Sequence, residues 1–275
     1  MKENKKPLPF TLYVFISNFG TMKKMNLLVF LLASFAFFHS GCDKPADEET
    51  APFVLDVKAL INDEPLVLGS AYQNGLDYHF NLTVLRFYLS HLTLVKPDGS
   101  EVEVKDVELL DLENHHAVYQ AQGEQISGTV PAGTYTALRF AIGVDSTLNH
   151  DDPAQYPSTH PLSIYYGMHW DWNPGYIFLK LEGNADTVAN GGGTLDRAFI
   201  YHVGADALYR EVRFEDDFTV APDENFEYKV KLDANRLFYN ETDTLDMEKN
   251  FTHTGGDFTV AENVLNLFAA AFFKR

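Results

Sequence analysis

The sequence predicts an all-β protein, a β-sandwich with long functional loops and one C-terminal helix, and three observations carry that reading. Apolar side chains recur in short runs with a period of two, the spacing that places alternate side chains on one face of a strand. Turn-forming clusters such as Lys96-Pro97-Asp98-Gly99 separate the runs. A helical period is convincing in one place, Ala261 to Phe272, at the end of the chain. Short strands with turns between them and a single terminal helix pack most simply as two sheets. Residues 53–275 suit one domain, since all-β domains often reach about 200–250 residues.

Taken in order, Phe53 to Leu60 alternates and opens the domain. Leu82 to Val95 is a longer strand with Leu85, Phe87, Leu89 and His91 on one face, which makes His91 a core histidine satisfied by hydrogen bonds. Lys96–Gly99 turns it into Glu101 to Leu112 as a hairpin. Gly133 to Ile142 is the next strand. From Asp145 to Tyr166 neither period holds, and Pro153, Pro157 and Pro161 deny the segment a regular ladder, so it reads as a long ordered loop. Tyr165 to Trp172 reads as a strand, with His169 and Asp171 on one face and Met168, Trp170 and Trp172 on the other. Asn173-Pro174-Gly175-Tyr176 fits a type II turn into Ile177–Leu181. The glycines at 191–193 form a loop before Ala198–Val203, and Phe226 to Leu232 alternates again.

Residues 1–41 read as targeting sequence. Lys23 and Lys24 precede the apolar run Leu27 to Phe38, too short to span a bilayer as a mature helix and typical of a signal peptide. Met22 followed by two lysines makes a better start than Met1, which points to an over-called start for residues 1–21. The run ends in His39-Ser40-Gly41-Cys42, a lipobox-like sequence with His where Leu is usual. Cys42 is the chain's single cysteine, so an intramolecular disulfide is excluded and lipidation explains its position. Residues 42–52 are then a lipidated cysteine and a charged tether, and the protein is expected as an outer-membrane lipoprotein, periplasmic or surface-exposed.

Removing residues 1–41 takes away five lysines and one glutamate and moves the formal charge from −18 to −22. So acidic a chain is no partner for nucleic acid, whose binding rests on neutralising phosphates with Lys and Arg. No nucleotide fingerprint, G-x-S-x-G, H-E-x-x-H or thiol nucleophile is present, which argues for a binding protein over an enzyme.

The stretch Gly143–Gly183 concentrates three of the ten histidines, both tryptophans and four aspartates. Its wording, GVDS…NH…GMHWDWNPGY, together with LRFYLSHLTL (Leu85–Leu94), GTYTALRFAIGVD (Gly133–Asp145) and FIYHVG (Phe199–Gly204), resembles the MbnP-like family of periplasmic or surface copper-binding proteins. The resemblance covers most of the chain after about residue 53 and implies a β-sandwich. In some relatives copper is held by two histidines and a tryptophan oxidised to kynurenine by a partner di-haem enzyme, that tryptophan lying two residues before a histidine. Here Trp170 is followed at that spacing by Trp172, while His169 comes immediately before it.

Imidazole suits copper and zinc, and copper(II) tops the affinity order at nitrogen sites, so a histidine cluster outside the reducing cytosol points first to copper. The expected ligands are His150, His169 and His202, with Trp170 or Trp172 as an oxidised aromatic ligand. His160 and His253 are weaker candidates, and His115 and His116 read as exposed loop. Asp145, Asn149, Asp151 and Asp152 are hard oxygen donors close together and would suit calcium instead. A calcium-stabilised surface module that binds a glycan or protein fits the same anchor and acidity. If Cys42 is acylated, Cys42→Ser is expected to move the protein from the membrane fraction to the soluble periplasm or medium. A variant that stays with the membrane would refute the anchor.

Overall fold

The computed structural model describes residues 48–112, 124–170, 175–186, 188, 191–247, 249–252 and 258–275. The expected signal sequence, Cys42, His115, His116, Trp172 and His253, and with Asn173 and Pro174 the first half of the expected type II turn, lie outside the described residues. Among the described residues no helix is long and apolar enough to cross a membrane.

Two sheets pack face to face as the sandwich. At the centre of the smaller one, β1 (Thr50–Ile61) pairs antiparallel with β6 (Glu124–Pro131) and parallel with β11 (Phe226–Asp233). The short β2 (Glu64–Pro65) folds back on its end, and β12 (Phe272–Lys274) adds outside β11. The larger sheet contains β3 (Tyr72–Gln73), β4 (His79–Val95), β5 (Glu101–Asp111), β7 (Gly133–Ile142), β8 (Leu179–Ala185), β9 (Arg197–Val203) and β10 (Arg210–Val220). The expected hairpin is present: Lys96 and Ser100 close the turn and Gly99 supplies its φ of +83°.

β4 organises the larger sheet. Arg86 and Phe87 pair with both β5 and β8, whereas Leu89, Ser90 and Thr93–Val95 pair with both β5 and β7. A strand has two edges, so β8 and β7 must share one of them in succession, with the handover at Tyr88. Two irregularities accompany this. One register shift lies between Leu82 and Val84, the other between Ser90 and Thr93. Each changes which parity faces the core: Phe80 and Leu82, then Leu85, Phe87 and Leu89, then Leu92 and Leu94 are the buried set. His91 therefore does not continue the apolar face as the simple alternation predicts. It stands at the bulge with φ +49° and a partly exposed side chain.

The helix appears as α2, Thr259–Ala270, two residues earlier than expected at each end, and Phe272 belongs to β12. Of its buried side chains, Ala261, Val264, Leu265 and Phe268 follow helical spacing, and with Leu267 they face the main core. Phe268 meets Phe87 edge to face at 5.0 Å and Phe272 at 5.5 Å, so one aromatic cluster joins helix, β4 and β12. β6 and β10 were not read from the sequence. Phe268→Ala is expected to destabilise the protein by about 3–5 kcal/mol in denaturant unfolding, the usual cost of emptying a buried aromatic site. Tyr165→Ala, at a residue 80% exposed, should change stability by no more than about 0.5 kcal/mol.

Candidate functional site

The segment between β7 and β8 leaves and re-enters the sheet at the β4 handover. Gly143 N–H donates to Tyr88 O at 2.9 Å, and Tyr88 N–H donates to Phe178 O at 3.0 Å. Gly143 has φ +103°, and a Cβ there would lie 2.4 Å from Phe178 Cδ2, so only glycine fits this exit. The segment is ordered by short local devices. Asp145 Oδ1 caps α1 (Ser146–Asn149) by accepting from Thr147 N at 2.7 Å and Leu148 N at 3.2 Å. Single 3-10 turns follow at Pro153–Gln155 and Ile164–Tyr166. The strand expected over Tyr165–Trp172 reduces, among the described residues, to one isolated bridge, His169 to Tyr176. Gly167, at φ +61°, ends the second 3-10 turn in a left-handed conformation that no strand continues.

Beneath the segment lies a second apolar cluster, separate from the main core, built from Tyr88, Val107 and Leu109 of the sheet and Val144, Leu162, Met168, Tyr176 and Phe178. The hydroxyls of Tyr88 and Tyr176 donate to Pro161 O at 3.0 Å and Leu162 O at 2.8 Å. Burial pushes both phenols well above the ordinary tyrosine pKa, keeping them neutral donors.

Asn149 and Asp206 lie at the centre of the site. Buried Asn149 accepts from Tyr176 N at 2.7 Å and donates through Nδ2 to Asp206 Oδ1 at 2.7 Å. The other Asp206 oxygen accepts from Ser146 Oγ at 2.7 Å and lies 3.0 Å from His150 Nε2. Hydrogen bonds from Ser146 and Asn149, with a smaller one from His150, hold the Asp206 carboxyl below its ordinary pKa. His169 packs edge to face on Tyr176 at 5.0 Å and accepts from Gly175 N at 3.3 Å. His202, on β9 four residues before Asp206, has Nε2 2.6 Å from Glu182 Oε1 on β8. Between them, Gly204 admits the Trp170 ring and the Tyr176 carbonyl; a Cβ there would lie 3.0 Å from Trp170 Cη2 and 2.1 Å from Tyr176 O. The segments bearing His150, His169, His202 and Trp170 are thus cross-linked at one end of the larger sheet. The carboxylates on His150 and His202 come from positions 56 and 20 residues away, which no local sequence pattern announces.

The oxygen donors expected for calcium have separate structural duties. Asp145 and Asp152 cap turns, Asp151 accepts from Tyr156 OH at 2.8 Å, and both amide atoms of Asn149 are engaged as above. His160 stacks on Tyr156 with ring centroids 4.3 Å apart and accepts from Leu162 N at 3.2 Å.

Among the described residues, the group of three or more side-chain donors lying within 4.8 Å of one another is His91, Glu103 and Asp106, which does not include His150, His169 or His202. His91 Nδ1 is 3.2 Å from Glu103 Oε2 and 3.8 Å from Asp106 Oδ1, and its Nε2 is 3.1 Å from Asp145 Oδ2. Burial pushes the imidazole pKa down, but hydrogen bonds to Glu103 and Asp145 outweigh it and hold the value above the ordinary 6.5.

The fold and this end of the sheet define a class: a two-sheet β-sandwich with a donor-rich segment laid over a second, smaller core. The MbnP family model matches residues 50–257, and the chain belongs to that family. Among solved structures, MbnP from Methylosinus trichosporium shares the fold, with a TM-score of 0.50 and 19% identity over 76% of this chain and 82% of that one. No curated protein sequence matches the chain.

A histidine with a raised folded pKa stabilises the fold fully below its unfolded value and ceases to do so as the pH rises through the folded one. With a chelator present, the loss of stability caused by His91→Asn in urea unfolding is expected to be larger at about pH 5.5 than at about pH 9. Equal losses at both would contradict the ion pairs.

Proposed function

We propose that the protein is an exported, lipid-anchored copper-binding protein, not an enzyme, and that His150, His169 and His202 hold the metal. Membership of the MbnP family supports copper as the metal. One structural observation carries the choice of residues: two of the three imidazoles, His150 and His202, have a carboxylate on Nε2, Asp206 and Glu182. Histidine ligands are typically oriented in this way by a carboxylate on the nitrogen that does not face the metal. Bound copper would be supplied with nitrogen donors from three segments that the sheet already brings to one end. Trp170 packs against the turn after His202, but an intact indole has an N–H donor and no lone pair for a metal, so it joins such a shell only after oxidation by a partner enzyme. Calcium is the poorer reading, because the oxygen donors of this segment cap turns or hold neighbouring groups.

The test uses the full-length protein in detergent and a copper chelator in competition. The triple variant His150→Ala, His169→Ala, His202→Ala is expected to bind copper at least about tenfold more weakly than wild type, whereas His115→Ala should match wild type. Wild-type binding should also fall away near and below about pH 6.5, where imidazole protonates. Equal affinity in wild type and triple variant would sink the assignment.

A further inference from the structure

We propose that His91, Glu103 and Asp106 form a second metal site, for a divalent transition ion of the zinc type, at the bulge where β4 meets β5. It uses none of the three histidines assigned to copper above. The donors converge through register. Ser90 pairs with Val107 and Leu92 with Lys105, which sets His91 opposite Asp106. The irregularity that follows pairs Thr93 with Glu103 and brings that second carboxylate to the same imidazole. A tetrahedral ion with ligands at about 2.0–2.2 Å keeps its donor atoms about 3.3–3.6 Å apart. The observed separations from His91 Nδ1, 3.2 Å to Glu103 and 3.8 Å to Asp106, bracket that range. One nitrogen and two carboxylate oxygens leave a fourth position for water, a donor mixture that suits zinc better than calcium, which takes six to eight oxygens.

An ordinary acidic patch has neither the imidazole at its centre nor a second-nitrogen partner. Here Asp145 Oδ2 holds the far nitrogen at 3.1 Å, the orienting contact that fixes which nitrogen turns to an ion. Asp145 also caps α1, so an ion on His91 would tie β4 and β5 to the first turn of the segment that carries Asn149 and His150. The side chains are partly exposed, which leaves the ion an entry path.

The test strips the full-length protein with a chelator and titrates it with zinc against a chromophoric competitor. In the background of the triple alanine variant of His150, His169 and His202, one zinc equivalent should remain. Adding His91→Asn is expected to weaken that equivalent at least about tenfold, and Asn tolerates the positive φ of position 91. Asp145→Asn, which retains a capping side chain, should weaken it by about tenfold as well. Circular dichroism and thermal unfolding confirm that each variant is folded. A folded triple variant that binds no zinc, or a His91→Asn version that binds it undiminished, overturns the site. Either result leaves the copper measurement on the other three histidines untouched, so the two assignments fail separately.

Discussion

The structure depends on a constraint in β4. This strand must serve β8 and β7 in succession along one edge while β5 runs along the other. Along that edge the pairing shifts twice, and a single uncompensated one-residue slip would exchange the faces of everything beyond it. Two irregularities absorb the slip and return the apolar set to the core each time. The cost is local: a non-glycine residue in left-handed conformation and an imidazole turned out of the core.

The same handover creates the place for the donor-rich segment. Where β7 ends and β8 has not begun, Tyr88 links the two sides through its backbone hydrogen bonds, and the chain between them covers the outer face of the sheet. A segment rich in prolines and polar groups could not hold one conformation through a backbone ladder. It is held instead by a small core beneath, by side-chain caps, and by Asn149 and Asp206, which satisfy backbone and imidazole together. Rigid placement of this kind is what a metal site needs from its scaffold, since ligands left loose must be ordered when the ion binds.

Acidity runs through both candidate centres. Each imidazole among His91, His150 and His202 faces at least one carboxylate, so the negative charge of the chain is not merely spread over a solvated surface. Such pairs orient the rings and favour cations over anions at the same points.

Much of the fold was legible in the residues. Period-two runs located β1, β4 and β11 because alternate burial writes itself directly into sequence, β5, β7 and β9 were read as strands between turn signals, and Lys96–Gly99 announced its turn through backbone preference. β6 and β10 were missed: β10, REVRFEDDFTV, does alternate, with Val212, Phe214, Phe218 and Val220 turned inward, but Asp216 interrupts the apolar run on that face. The concentration of histidine and aspartate in residues 143–183 marked the site segment, and the wording there led to the family. Which carboxylate meets which imidazole was decided only by tertiary structure. Asp206 reaches His150 and Asp145 reaches His91 across 56 and 54 residues, through strand register and two bulges. Sequence by itself determined periodicity, turns and local composition, since these are properties of neighbours in the chain. Register, handover and the reversal of His91 belong to the packed sheets, because they arise when several strands compete for the edges of one.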